Sequence, residues 1–199
     1  MPASVEGGKV VINRYSAGND AVYMYAEQGK PMGEYYTYLT THVEDKNSPD
    51  YGKVIVGSDG QPVVSSELVD TGKNMNNKWT GGVTTSFSAH GFTLSASLDT
   101  RAGGYMFSRT KNLMMFTGNG VATTYNDRNP FVIPNSVTDN GDGTYSENTT
   151  PIYVSDDSYQ KYLGGTNNKS GDGETYYLID RSYTKLRNIS LTWTMPKKW

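Results

Sequence analysis

Residues 139–145, Asp-Asn-Gly-Asp-Gly-Thr-Tyr, look like part of an oxygen-rich calcium loop. Alternate acidic side chains around a glycine turn could wrap a hard cation such as Ca²⁺. However, no glutamate stands at the position that closes an EF-hand loop, and Asn-Gly and Asp-Gly are the commonest pairs in hairpin turns. The spacing therefore predicts a hairpin at a loop tip in preference to a metal site.

Residue types that support catalysis are scarce. The chain has two histidines, His42 and His90, and no cysteine, which excludes disulfides and thiolate metal sites. Neither histidine lies near a Gly-x-Ser-x-Gly nucleophile elbow. A glycosidase-like pair could be drawn from the 20 acidic residues, but nothing in their spacing selects one. We therefore expect no enzyme, no catalytic residue, no cofactor and no metal.

Residues 103–181 form a long polar stretch that is the best place for ligand or partner contact. Tyrosine rings could stack on a glycan or peptide, and asparagine amides could hydrogen bond to it. The candidate side chains are Tyr105, Tyr125, Asn126, Asn129 and Tyr145, together with Tyr159 and Tyr162. The alternative is that these side chains only fold the stretch onto itself.

The composition indicates short strands and polar loops. Hydrophobic residues make up 35% of the chain, below the ~45–50% of an ordinary soluble domain, and tyrosine dominates the aromatic residues. The net charge of −2 gives no reason to expect nucleic acid as a partner. No run approaches the ~20 apolar residues of a membrane helix, whereas membrane barrels use short strands that are only half apolar.

Three segments alternate apolar with small polar residues, which predicts strands at residues 79–89, 91–99 and 186–195. Only His90 and Gly91 lie between Ala89 and Phe92, the apolar residues that end the first alternation and begin the second, so the two segments predict a hairpin with a tight turn. In the third, strict alternation places Arg187 on the apolar side. Weaker strands are expected within residues 9–13, 20–27 and 33–42, and long loops at residues 44–77 and 103–181.

Two environments could explain the alternation. In a soluble β-sandwich the apolar face packs on a second sheet, whereas in a membrane barrel it contacts lipid. Strands of about the ~9–11 residues needed to span a bilayer favour the barrel, as do Trp79 and Trp193 near strand ends, where barrels carry aromatic girdles. The barrel requires that lipid, and not a second protein layer, contacts Phe87, Leu94, Ile189 and Trp193.

Several segments resemble, in order, the later barrel strands of SusC/RagA-like TonB-dependent transporters. They are residues 27–36 (EQGKPMGEYY), 72–82 (GKNMNNKWTGG) with the hairpin that follows, 101–104 (RAGG), 128–137 (RNPFVIPNSV) and 182–199 (SYTKLRNISLTWTMPKKW). One departure is Asn77, which stands where the family usually has proline. The set is similar to the family from about Glu27 to Trp199.

The resemblance implies an all-β fold in which residues 1–199 are antiparallel strands of a partial transmembrane β-barrel with long extracellular loops. The plug domain and the final strands would lie outside this chain. The parent protein would import glycans or peptides across the bacterial outer membrane, capped by a SusD-like surface lipoprotein and powered by TonB through the plug. The His90–Gly91 turn would be periplasmic, and residues 43–78 and 103–181 extracellular. The alternative is a soluble or surface-attached carbohydrate-binding β-sandwich.

Overall fold

The computed structural model describes residues 5–6, 8–15, 22–153 and 175–195. Most of its elements are strands in antiparallel sheets, so the expected all-β class is confirmed. The chain forms two compact units. Unit 1 comprises Met1–Asn74 and Phe107–Ile179, and unit 2 comprises Met75–Met106 and Asp180–Trp199.

Unit 1 contains a five-stranded antiparallel sheet in the order β1-β2-β3-β4-β6. Its strands are β1 (Val5–Glu6), β2 (Lys9–Tyr15), β3 (Val22–Glu27), β4 (Glu34–Thr37) and β6 (Val69–Asn74). The three weaker strand predictions are thus confirmed in position. β4 is shorter than expected, because only isolated bridges at Thr40 and His42 continue the pairing beyond it.

A second sheet of unit 1 consists of β5 (Val54–Val56), β10 (Ser136–Asp139) and β11 (Tyr145–Glu147). β10 and β11 form an antiparallel hairpin, and β5 pairs with β10 in parallel. The sheet packs through a buried cluster of Val56, Ile133 and Ile152, with Val54 and Phe131 against it.

The two long polar segments hold more regular structure than the sequence predicted. Besides β5, β6, β10 and β11 they contain helix α1 (Arg109–Phe116), a 3₁₀ segment (Val121–Arg128), β9 (Tyr105–Phe107) and β12 (Leu178–Asp180), the last two paired together. Residues 113–116 of α1 are four consecutive apolar residues, so the helix lacks amphipathic spacing. In the part of the chain that the structure describes, no helix combines the length and apolar character needed to cross a membrane.

Unit 2 is built on an antiparallel sheet in the order β13-β8-β7. Its strands β7 (Trp79–Ala89), β8 (Phe92–Ala102) and β13 (Tyr183–Trp193) each have 11 residues. His90 and Gly91 connect β7 to β8 with φ angles of 53° and 84°. Two positive φ values define a type I′ turn, whose twist suits a hairpin, and the predicted hairpin is confirmed.

A bulge in β13 corrects one feature of the sequence prediction. The pairing with β8 shifts register between Leu186 and Asn188, so that Arg187 is the extra residue. A bulge resets the alternation by one residue. Leu186 therefore shares a face with Ile189, and Arg187 turns to the polar face, where its guanidinium binds Asp99. The prediction that Arg187 lies on the apolar side was wrong.

Candidate functional site

The unit 2 sheet gathers the alternating apolar residues onto one continuous face. Directly opposed residues of antiparallel strands project from the same face, and four cross-strand rows follow from the pairing. The rows are Val83–Leu98–Leu186, Thr85–Ala96–Ile189, Phe87–Leu94–Leu191 and Ala89–Phe92–Trp193. We call this surface, together with Trp79, the apolar face.

The large side chains of the apolar face are exposed. Phe87 is 71% exposed, Ile189 63% and Leu94 46%. Every buried hydrophobic residue among those described belongs to unit 1. Soluble monomers rarely expose a contiguous apolar patch of more than a few hundred Å². The exposure of the apolar face therefore indicates that an apolar partner or environment covers it in the intact protein.

Aromatic rings mark both ends of the apolar face. Phe92 and Trp193 stack at the turn end, with ring centroids 6.1 Å apart. Trp79 begins β7 at the opposite end, and its ring lies over Gly81, where an added Cβ would come within 3.2 Å of it. Ten residue steps of ~3.3 Å give a strand about 33 Å long, which a tilt near ~45° reduces to roughly 23 Å in height.

The opposite face of the sheet is polar. Its cross-strand rows are lined mainly by hydroxyl groups, and two such pairs hydrogen bond directly: Thr84 with Ser97 at 3.1 Å and Ser88 with Thr93 at 2.8 Å. Ser and Thr side chains at these positions suit contact with water or with a polar ligand. The sheet thus has one apolar face and one polar face.

Both outer strands of the sheet have an unpaired edge. Within the described residues, β7 and β13 each pair with β8 alone. An exposed strand edge carries a row of unsatisfied N–H and C=O groups and is a site for further strand pairing. The sheet is therefore able to continue on both sides.

The sequence-predicted ligand residues fall in separate places. Tyr105 begins β9 and Tyr145 begins β11, whereas Tyr125 and Asn126 lie in the 3₁₀ segment, with Asn129 directly after it. Tyr159 and Tyr162 lie outside the described residues. Only the group around the 3₁₀ segment is brought together.

The asparagines of that group bond to the loop itself. The Asn126 side-chain amide donates to the carbonyl oxygens of Asn129 (3.2 Å) and Pro130 (3.1 Å), and the Asn129 amide donates to the carbonyl of Asn126 (3.1 Å). The Tyr125 ring contacts Phe131 edge-on at 4.7 Å, yet remains 49% exposed. These contacts favour the loop-folding alternative for the asparagines and leave Tyr125 as the accessible ring.

Residues 139–145 form the β10–β11 hairpin, as predicted. The carboxylates stabilise the turn: Asp139 accepts from the Gly141 amide, and Asp142 accepts from the amide and hydroxyl of Thr144. The hydrogen bonds from Thr144 hold the pKa of Asp142 below its ordinary value. No group of three or more potential metal ligands occurs among the residues described.

Unit 1 has a charged network at the edge of its larger sheet. The Lys30 ammonium lies 2.8 Å from Asp70 and 3.1 Å from Glu27, and the Tyr36 hydroxyl donates a short hydrogen bond to Glu27. The hydrogen bonds from Tyr36 and Lys30 lower the pKa of Glu27. Burial and the bond to Glu27 raise the pKa of Tyr36 to about 12. This network joins β3, β4 and β6.

Sequence reasoning missed the charged group on the polar face of unit 2, formed by Asp99, Arg101, Tyr183, Lys185 and Arg187. One available signal was the break in alternation at Leu186-Arg187-Asn188, which marks a bulge. No sequence signal brings Arg101 and Tyr183 together, because 82 positions separate them and only strand pairing joins them.

No protein-family model matches the chain, and none of the curated proteins matches it in sequence. The resemblance to SusC/RagA-like transporters therefore stays a prediction.

Proposed function

We propose that β7, β8 and β13 are membrane-spanning strands of a bacterial outer-membrane β-barrel, a TonB-dependent importer of the SusC/RagA type for glycans or peptides. The single observation that carries the proposal is the exposure of the apolar face on three 11-residue strands. A lipid bilayer supplies the missing apolar environment over the ~9–11 residues of a transmembrane strand.

Three further features support the proposal. The height between Trp79 and the Phe92–Trp193 pair, estimated above, is close to the ~25 Å apolar band between the aromatic girdles of such barrels. The polar face suits a wet lumen. The open edges of β7 and β13 need neighbouring strands, since lipid offers no hydrogen bonds to a strand edge.

The resemblance narrows the class from a barrel to a nutrient importer. The ordered segments include most of β7, β8 and β13, together with residues 128–137 of unit 1. In this proposal a SusD-like lipoprotein caps the barrel, and TonB acts through a plug domain. Among the described strands, only β7, β8 and β13 reach 11 residues.

Single-cysteine scanning tests the membrane part of the proposal, because the natural chain has no cysteine to interfere. Each residue from Val83 to Ser88 is replaced in turn by cysteine and labelled with a polarity-sensitive fluorophore after the full chain is reconstituted in phosphatidylcholine vesicles. Odd positions should report lipid and even positions water. A uniform aqueous signal, or no period of two, would contradict lipid contact along β7.

The same fluorophore labels test the alternative hypothesis of a soluble carbohydrate-binding β-sandwich. In a soluble β-sandwich the odd positions would be shielded without lipid, and the chain would remain monomeric in buffer and unfold cooperatively. In the barrel proposal the chain needs detergent or lipid to stay dispersed. Cysteines at Ser58 and Asp59, in a turn of unit 1, serve as matched controls and should show no alternation in either medium.

A further inference from the structure

The polar face of the unit 2 sheet concentrates its charges at one end. Arg101 lies opposite Tyr183, and Asp99 lies opposite Lys185 in the adjacent row. The bulge residue Arg187 donates from Nε to Asp99 Oδ2 at 2.9 Å. We call these five residues the cationic cluster. The other described positions of this face are uncharged: Thr80, Gly82, Thr84, Ser86, Ser88, Thr93, Ser95, Ser97, Asn188, Ser190 and Thr192.

Three cations surround one aromatic ring in the cationic cluster. The Lys185 ammonium lies 4.4 Å from the ring centroid of Tyr183, the Arg101 guanidinium 4.5 Å and the Arg187 guanidinium 5.8 Å. The negative face of an aromatic ring attracts such groups, but it does not neutralise their charge. Like charges held this close repel one another unless an anion compensates them.

Asp99 forms a salt bridge with only one of the three cations, Arg187. Its Oδ2 accepts from Arg187 and also from the Tyr183 hydroxyl at 3.0 Å. Within the described structure, neither Arg101 nor Lys185 forms a salt bridge, and the buried Nε of Arg101 has no hydrogen-bond partner. Three positive charges against one negative charge leave an excess of two.

We propose that the cationic cluster binds a carboxylate-bearing oligosaccharide. A carboxylate between Arg101 and Lys185 would neutralise the excess charge through charge-assisted hydrogen bonds. The hydroxyl-lined rows next to the cluster would hydrogen bond to the sugar hydroxyl groups. A peptide is the poorer fit, because this face offers no large apolar side chain to hold peptide side chains. The inference deepens the proposed function and rests on it, since the polar face must be on the wet side of the barrel.

Calorimetric titration of the full chain in detergent micelles tests the inference with three probes of equal length. Tetragalacturonate should bind, whereas the neutral maltotetraose and the acidic peptide tetraglutamate should bind at least ~10-fold more weakly. Raising the salt concentration should weaken tetragalacturonate binding, since exposed ionic contacts are screened.

Matched charge variants locate the binding. Lys185→Gln and Arg101→Gln should each weaken tetragalacturonate binding by roughly tenfold or more, since each removes a charge-assisted contact. Lys46→Gln, an exposed site in unit 1, removes the same charge and should leave the affinity unchanged. Lys185→Arg keeps the charge and should retain affinity, which separates loss of binding from loss of fold.

Equal affinities for Lys185→Gln and Lys46→Gln would overturn the inference, as would tetraglutamate binding as tightly as tetragalacturonate. The cysteine-label pattern of β7, measured on the same chain in vesicles, separates the two proposals. Loss of uronate binding with the alternating pattern intact rejects the cationic cluster alone. Uronate binding without the lipid pattern rejects the barrel and, with it, the transport role given to this site.

Discussion

The two units of the chain place their apolar side chains in opposite environments. In unit 1 no described strand exceeds seven residues, and Val22, Tyr35 and Ile152 are at most 1% exposed in a protein core. In unit 2 three 11-residue strands leave Phe87 and Leu191 about 70% exposed. Alternation in the sequence thus predicts that a strand has one apolar face, but not what covers that face. Strand length and the packing of the side chains indicate whether protein or another apolar environment covers it.

Replacing one isoleucine by alanine in each unit should give the largest difference in stability between the two units. Ile152 is fully buried, so Ile152→Ala should lower the free energy of unfolding by about 2–5 kcal/mol through lost contacts and a cavity. Ile189 is 63% exposed, so Ile189→Ala opens no cavity in protein and should cost only the lost apolar contact with lipid, at most about 2 kcal/mol. Hydrogen exchange read by peptide mass spectrometry measures the two units separately. Equal costs would mean that the apolar face is packed against protein.

An arginine should destabilise unit 2 far more on the apolar face of β8 than on its polar face. Leu98 lies on the apolar face near the middle of the strand, and Ser97 lies next to it on the polar face. Leu98→Arg should cost roughly 2–4 kcal/mol in phospholipid vesicles, because the charge enters lipid near the bilayer midplane. Ser97→Arg should cost under about 1 kcal/mol, since its side chain stays in water.

Urea titration in vesicles, followed by tryptophan fluorescence, measures both costs in unit 2, where Trp79 and Trp193 lie. The wild-type chain and Ser97→Arg should have similar midpoints. A larger loss for Ser97→Arg than for Leu98→Arg would reverse the assignment of the two faces.

A substitution in the turn that joins β7 to β8 should cause a smaller loss of stability. Gly91 has a φ of 84°, and an added Cβ would lie 3.1 Å from the Thr194 carbonyl oxygen. Gly91→Ala should therefore cost about 1–2 kcal/mol, the usual penalty of a left-handed conformation for a residue with a Cβ. His90→Asn is the control, because asparagine tolerates the φ of 53° at this position, and it should leave the urea midpoint unchanged.

The sequence was sufficient for features that depend on local pattern. The β7–β8 hairpin follows from period-two alternation and from His90-Gly91, and the β10–β11 hairpin follows from its Asn-Gly and Asp-Gly pairs. Helix α1 was missed because residues 113–116 are consecutively apolar. Its first turn is capped locally, since the Ser108 hydroxyl accepts from the Lys111 amide.

Features that depend on distant pairing could not be predicted in the same way. β5 has only three residues in a polar segment, and it is ordered by parallel pairing with β10, some 80 positions away. Tyr183 and Arg101 meet for the same reason, through the pairing of β13 with β8. The sequence therefore predicted which residues of a strand share a face, except at the bulge in β13. It did not predict which residues of sequence-distant strands lie beside them in the sheet.

The smallest expected effect is on the pH dependence of the stability of unit 1. It should differ between a carboxyl group in the charged network, Glu27, and an exposed one outside it, Glu44. Hydrogen bonds from Tyr36 and Lys30 lower the pKa of Glu27 from 4.5. The folded state then binds fewer protons than the unfolded state in the acidic range, so this contribution is present above about pH 4.5 and is lost as the pH falls below it. Because the Glu27 carboxyl is only partly buried, solvent screening keeps the effect small.

Glu27→Gln should therefore flatten the acid side of the stability profile of unit 1, measured by hydrogen exchange between pH 7 and pH 3 with correction for intrinsic exchange. Glu44→Gln removes an exposed carboxyl outside the network and should leave the wild-type slope. Asp70 adds to the same slope: burial raises its pKa, but the hydrogen bonds from Lys30 and the Gly72 amide, together with the charge of Lys30, outweigh burial and lower the pKa overall. If Glu27→Gln retained the full wild-type slope, the acid sensitivity would arise from carboxyl groups other than Glu27, and its bonds to Tyr36 and Lys30 would not stabilise the sheet edge.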